Sequence, residues 1–225
     1  MALKQLLGAL IGLALVLPIT VSAAEKKAPR VLYEIEQDGK IGFIDSSGNV
    51  MVAPQFRKSM GGFQEGFVAV EREGSWGFVE NTGRVVPPHY DDVSGFHQGL
   101  AKVKANLKCG YLNRSGIEII SLRFEDAGDF HEGLARVKID DKWGYIDVKG
   151  KFVIGPRYGD AGDFSEGRAS VKIDDKWGYI NKQGKVVIGP RYDTAGNFSN
   201  GLAKVRKDMK SGYTTRDGII VWQEK

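Results

Sequence analysis

From Val31 onward, apolar and polar residues alternate in short runs, and no useful length keeps the period of an amphipathic helix. The stretch Gly133–Phe164, GLARVKIDDKWGYIDVKGKFVIGPRYGDAGDF, shows the pattern. Leu134–Ile139 alternates, with Ala135, Val137 and Ile139 on one face. Trp143–Ile146 alternates too, grouping Trp143 with Tyr145 and Gly144 with Ile146, and Lys151–Ile154 is rich in β-formers. AspAspLys and ValLysGly separate the three runs and are short enough for hairpin turns. Pro156 has no N–H for a sheet ladder and is expected to end the third run. The pattern predicts a three-stranded antiparallel meander. A loop such as AspAlaGlyAsp, at Asp126–Asp129 and again at Asp160–Asp163, then leads onward.

The same pattern returns along the chain. Gly42, Gly77, Gly110, Gly144, Gly178 and Gly212 recur every 33 to 35 residues. In phase with them run Gly66, Gly99, Gly133, Gly167 and Gly201; Gly48, Gly83, Gly116, Gly150, Gly184 and Gly218; and the aromatic series Phe56, Tyr90, Phe124, Tyr158 and Tyr192. The chain from Val31 to Lys225 therefore reads as a single all-β domain of six tandem units of about 34 residues, the end copies incomplete. An open superhelical array is favoured over a closed six-bladed propeller-like ring, because each unit is short for a blade and no strand is exchanged to fasten a ring. Within a unit, Asp140-Asp141 and Asp174-Asp175 read as turn residues, since other units carry AspGly or GluGlySer in their place. Gly150 and its counterparts fit a hairpin position with positive φ. Gly144 and its counterparts lie inside a strand, where a facing aromatic ring from the next unit is the expected reason.

These motifs resemble the WG-repeat (KWG-repeat) family. Its consensus, F-x-E-G-L-A-x-V-x-x-x-x-K-W-G-Y-I-D-x-x-G-x-x-V-I-x-P-x-Y/F, is matched nearly letter for letter by Phe130–Tyr158 and Phe164–Tyr192, and in outline across Val31–Lys225. The resemblance implies a β-rich bacterial array, often exported, with no general enzymatic activity and no catalytic residues to carry over. The tryptophan is replaced by Ile41, Cys109 and Ser211, and the proline by Leu122, so tryptophan is not an obligatory ligand-stacking residue. Ile41 and Ser211 belong to end units, which in repeat arrays are commonly atypical; Cys109 reads as a small buried hydrophobe. A looser likeness to the aromatic hairpin repeats of choline-binding and toxin cell-wall modules points to carbohydrate or cell-surface ligands.

The first 24 residues differ from the rest: Lys4, the apolar run Leu6–Leu17, Pro18 and the small residues Thr20–Ala24 follow the plan of a cleavable secretory signal. The run is too short for a membrane span, and no later stretch is long enough for one. Residues 25–30 form a short leader. Glu25 rather than a cysteine follows Ala24, so the expectation is a periplasmic or secreted protein and not a lipoprotein. One cysteine allows no internal disulfide. Lys and Arg number 32 against 28 acids, spread without blocks, which does not suggest nucleic acid.

No Ser–His–Asp set, P-loop or HExxH is present, and neither a cofactor nor a metal is implied. His97 and His131 occupy equivalent positions but lack further ligands with matching spacing. The AspAlaGlyAsp loops lack the oxygen density of a calcium loop. What varies between units is free to serve a partner. Beside each proline–aromatic pair lies Gln55, His89, Arg123, Arg157 or Arg191, so three arginines flanked by Tyr158 and Tyr192 are expected to form a row, either a binding row suited to carboxylates or phosphates or a solvated basic edge that keeps the strands from pairing with other chains. Lys102, Arg136 and Lys204 suggest a second row. The expected function is a non-catalytic binding scaffold in the cell envelope. Its expected partner is an envelope or extracellular protein, with a polysaccharide or peptidoglycan ligand as the alternative.

Overall fold

The structure, a computed structural model, describes residues 31–225; the expected signal at 1–24 and the leader at 25–30 lie outside the described residues. The described chain has no helix and folds into six antiparallel sheets in tandem, the first of three strands and the next five of four. Each sheet is a meander in chain order, as the alternation predicts.

The fourth unit shows how the sequence builds one sheet. Leu134–Ile139 pairs with Lys142–Asp147 through Asp140-Asp141, a two-residue turn. Both aspartates have positive φ, 49° and 56°, the requirement of a type I′ turn whose twist matches that of the flanking strands. The six corresponding turns all place both central residues at positive φ, from Asp38-Gly39 to Asp208-Met209. The aspartate pairs are therefore turn chemistry. At the second hairpin, the Asp147 carboxylate Oδ1 accepts the N–H groups of Lys149 and Lys151, and Gly150 has φ +77°, as expected.

The structure departs from three expectations. The connecting segment is not only a loop: Asp126–Ala127 forms a short leading strand paired with Lys138 and Val137, which gives the unit its fourth strand. In units two, three and six the same segment makes longer strands, Lys58–Gln64, Asp92–His97 and Thr194–Ser199. Pro156, moreover, does not end the third run. The strand continues from Phe152 to Tyr158, because it lies at the edge of its sheet and bulges at the proline. Trp143 faces Tyr158 while Tyr145 faces Ile154, so extra residues on the edge strand are looped out. That bulge also explains Gly144. A Cβ there would stand 2.6 Å from the Ile154 carbonyl oxygen and 2.7 Å from the Pro156 nitrogen. The close neighbour is backbone of the same sheet, not an aromatic ring from the next unit.

Successive sheets pack face against face, and the cores lie between them. Tyr145 is fully buried against Phe164 of the next unit, ring centroids 4.8 Å apart. The same contact recurs as Phe43–Phe63, Phe78–Phe96, Tyr111–Phe130 and Tyr179–Phe198. Burying one such ring stabilises by about 2–3 kcal/mol, with roughly 0.5–1.5 more from the edge-to-face geometry. Polar ties cross the same seams. The hydroxyls of Tyr111, Tyr145 and Tyr179 donate to the carbonyls of Gly128, Gly162 and Gly196 in the following leading segment, and burial pushes their pKa values up.

Candidate functional site

The edge strands place Arg123, Arg157 and Arg191 at equivalent positions, each immediately before a buried aromatic residue. Strand alternation sends the arginine outward and its neighbour inward. All three arginines are exposed. Tyr158 and Tyr192 are buried, so they support the row from beneath rather than flank it on the surface. Each guanidinium carbon lies over the ring that follows it, 4.9 Å from Phe124, 5.2 Å from Tyr158 and 5.8 Å from Tyr192. Arg123 and Arg157 also donate to the carbonyls of Gly150 and Gly184 in the next unit, at 2.9 and 3.2 Å, while Arg191 donates to Gly189. None of the three forms an ion pair among the described residues. A guanidinium fixed on one side by a ring and a carbonyl keeps its remaining donors for an anion.

Grooves open between successive hairpins at two equivalent edge positions, Gln55 and Arg157. One, of about 480 Å³ between units one and two, is lined by Lys40, Gln55, Arg57 and Arg72, with Asp38 and Glu73 at the turn tips. A second, of about 280 Å³ between units four and five, is lined by Lys142, Arg157 and Lys172, with Asp174 and Asp175 at its tip. Asp38, Lys40 and Gln55 stand 102 residues before Asp140, Lys142 and Arg157, so the two grooves occupy corresponding seams three units apart.

The second row is not a surface. Each internal sheet is covered on both faces, so Arg136 projects into the seam with unit five. There it pairs with Asp163 at 2.9 Å, donates to the Ala161 carbonyl at 2.7 Å and stacks on Trp143. Lys102 is half-buried, and only Lys204 is exposed. Trp143 is buried, and Trp76 and Trp177 are half-buried. Cys109 is buried among apolar side chains, which push its thiol pKa up. His97 and His131 do stand together, rings 5.9 Å apart, with Asp129 3.5 Å from His97. Among the described residues no group of three or more His, Cys, Asp or Glu side chains is placed to hold a metal ion.

A ladder that sequence reasoning missed runs along another line of the array. Glu65, Glu132 and Glu166 each accept the N–H of the glycine one unit on, Gly99, Gly167 and Gly201, and Gln98 does the same for Gly133. The signal was the recurrent acid or amide before glycine in F-x-E-G. Burial opposes ionisation of Glu65, but Arg114 and the N–H groups of Gly99 and Gln98 outweigh it and hold the carboxyl below its ordinary value. At Glu132, Lys182 and the Gly167 N–H outweigh burial in the same way.

Comparison with known proteins fits this geometry. A eukaryotic initiation factor aligns with TM-score 0.53 at 11% identity, over 85% of this chain and 62% of its own. Hsv2 of Kluyveromyces lactis with its complete loop 6CD aligns with TM-score 0.51 at 10% identity, over 82% and 70% of the two chains. At such identities the likeness shows the fold alone, tandem sheets of the propeller-like kind. No curated protein matches the sequence. Residues 41–76, 76–109, 110–143, 143–177 and 177–210 each match the WG containing repeat. Together these matches span most of the chain, which thus belongs to the WG-repeat family.

Proposed function

We propose that this chain is an exported, non-catalytic binding scaffold that takes an acidic segment of another envelope or extracellular protein along its arginine edge. The observation that carries the reading is the set of Arg123, Arg157 and Arg191, exposed, unpaired with any acid among the described residues, and each oriented by an aromatic ring beneath it. Holding a guanidinium in place before binding lowers the ordering cost of capturing a carboxylate. The groove at Arg157 supplies neighbouring positive charge from Lys142, and the corresponding groove at Gln55, lined by Lys40, Arg57 and Arg72, carries the same basic lining at the seam of units one and two. Export rests on the signal-like segment at residues 1–24. A glycan ligand needs exposed rings in a row, and the burial of Trp143 with the half-burial of Trp76 and Trp177 counts against it.

The test is crosslinking in intact cells with a tagged chain carrying its own leader, followed by mass spectrometry. One dominant envelope protein is expected, lost when Arg123, Arg157 and Arg191 are all changed to Ala. Undiminished capture by that variant would overturn the arginine edge as the site. Retention in the cell-wall fraction without an enriched protein would overturn the protein partner.

A further inference from the structure

Each of the five seams inside the array joins the same two surfaces. The trailing face of one sheet offers the residue after the WG glycine and its cross-strand partner: Phe43 with Val52, Phe78 with Val86, Tyr111 with Ile120, Tyr145 with Ile154, Tyr179 with Ile188. All ten side chains are buried. The leading face of the following sheet meets them with residues such as Val68, Val70 and Val79, or Ala135, Val137 and Ile146, also buried.

At the two ends of the described chain these surfaces stand uncovered. The sixth sheet's counterpart pair is Tyr213 with Trp222, in register and with ring centroids 6.2 Å apart. They are 39% and 54% exposed. The first sheet's leading face carries Tyr33 at the position of Ala135, 51% exposed, with Ile35 and Ile44 only half-buried where Val137 and Ile146 are fully buried. The ends are also opposite in charge. Strands and turns from Tyr33 to Phe56 hold Glu34, Glu36, Asp38 and Asp45 against Lys40 alone, a net of −3. Those from Thr194 to Gln223 hold Lys204, Arg206, Lys207, Lys210 and Arg216 against Asp208 and Asp217, a net of +3. Both faces are exposed in the same chain, so they do not cover one another within it.

We infer that a second copy of this chain is the occupant: the trailing face around Tyr213 and Trp222 receives the leading face around Tyr33 and Ile35 of another copy, head to tail. The contact continues the seam that the chain already makes five times. It is heterologous, so it builds either a closed ring of copies or a filament. Trailing face against trailing face is disfavoured, because it opposes two sheets of like positive charge.

The test uses the full chain and two single variants at these exposed positions, Trp222→Glu and Tyr33→Lys, in sedimentation velocity over a range of concentrations. The wild-type chain is expected to associate with rising concentration, and less at high salt, which screens the opposite charges. Each variant alone should associate at least about thirtyfold more weakly, the loss typical of a central aromatic anchor. Mixed together, they should form a one-to-one dimer, since one keeps its leading face and the other its trailing face. A wild-type chain that stays monomeric at all concentrations overturns the inference. So does a variant that still dimerises by itself, or a mixture that forms no dimer, whatever the wild type does. The Arg123→Ala/Arg157→Ala/Arg191→Ala chain should associate like wild type, so this result and the edge-binding result can fail separately.

Discussion

Gly144→Ala is the substitution whose effect the structure sets most firmly. The new Cβ would lie 2.6 Å from the Ile154 carbonyl oxygen and 2.7 Å from the Pro156 nitrogen, where 3.4 Å begins ordinary contact. Both neighbours are backbone atoms of the bulged edge strand, so no flexible side chain can swing away. Relief requires the two strands to separate by nearly an ångström, which overpacking data put at about 1–3 kcal/mol. It also weakens a ladder hydrogen bond worth about 1 kcal/mol. Alanine narrows the unfolded ensemble and returns about 0.4–1 kcal/mol. The net loss is roughly 1–3.5 kcal/mol, a fall in Tm of about 2–14 °C for a chain of this size. Gly155 provides the control within the same sheet: a Cβ there meets nothing within 4 Å, and its φ is not positive. Gly155→Ala should therefore be neutral or stabilising by up to about 1 kcal/mol. Urea unfolding, with midpoint and slope both fitted, reads the difference. If the two variants lie within about 1 kcal/mol of each other, the bulge is not the reason for the strand glycine, and the packing account of the whole WG series fails with it.

Three further outcomes follow from single interactions. Tyr145→Phe leaves the Gly162 carbonyl without its donor inside a seam and should cost about 1–2 kcal/mol in urea unfolding, whereas Tyr213→Phe should cost under about 0.5; equal costs would refute the inter-unit tie. Glu65 and Glu132 have folded pKa values below their ordinary 4.5, so they add stability that is complete at neutral pH and is lost as pH falls from 4.5 through those lower values. Urea midpoints between pH 7 and 3 should drop less for Glu132→Gln than for wild type, and parallel curves would count against the ladder. At the turn, replacing Asp140-Asp141 by Asn-Gly should change stability by no more than about 0.5 kcal/mol, while Val-Val, forced to positive φ, should lose about 2–4 kcal/mol; thermal melts of the two variants distinguish the cases.

How far the sequence could be read depended on how local each cause is. The meander and the turn at Asp140-Asp141 are written in neighbouring residues, as alternation and as two residues that tolerate positive φ. The leading strand Asp126–Ala127 is two residues long and is a strand only because Val137 and Lys138 pair with it, ten residues or more away. Pro156 signals a missing N–H, but not that its strand lies at an edge where none is needed. At the arginine edge, the row of Arg123, Arg157 and Arg191 was legible from periodicity alone. The burial of Tyr158 and Tyr192 was legible too, had the alternation been carried one residue further. Arg136 was misread for a different reason. Alternation tells which face a residue occupies but not whether another sheet covers that face, and here one does.

That covering limits where any partner can bind. The most regular letters of the unit are seam letters: the aromatic of W-G-Y reaches the next unit's phenylalanine and glycine carbonyl, and the acid of F-x-E-G reaches the next glycine N–H. Stability in such an array comes largely from nearest-neighbour seams, so a ligand that needed a sheet face would have to displace a neighbour and forfeit that seam's buried aromatics. The internal faces are thus closed to ligands by the same contacts that hold the fold. What remains among the described residues is the edge, with its turns and the arginine row, and the two end faces, where Tyr33 on one side and Tyr213 and Trp222 on the other are exposed. Edge residues differ from unit to unit, Gln55, His89 and then three arginines, while the position after each keeps a buried aromatic ring, Phe56, Tyr90, Phe124, Tyr158 and Tyr192. A partner can therefore be selected along the edge at little cost to stability, whereas a change of partner through the faces would require the array to be rebuilt.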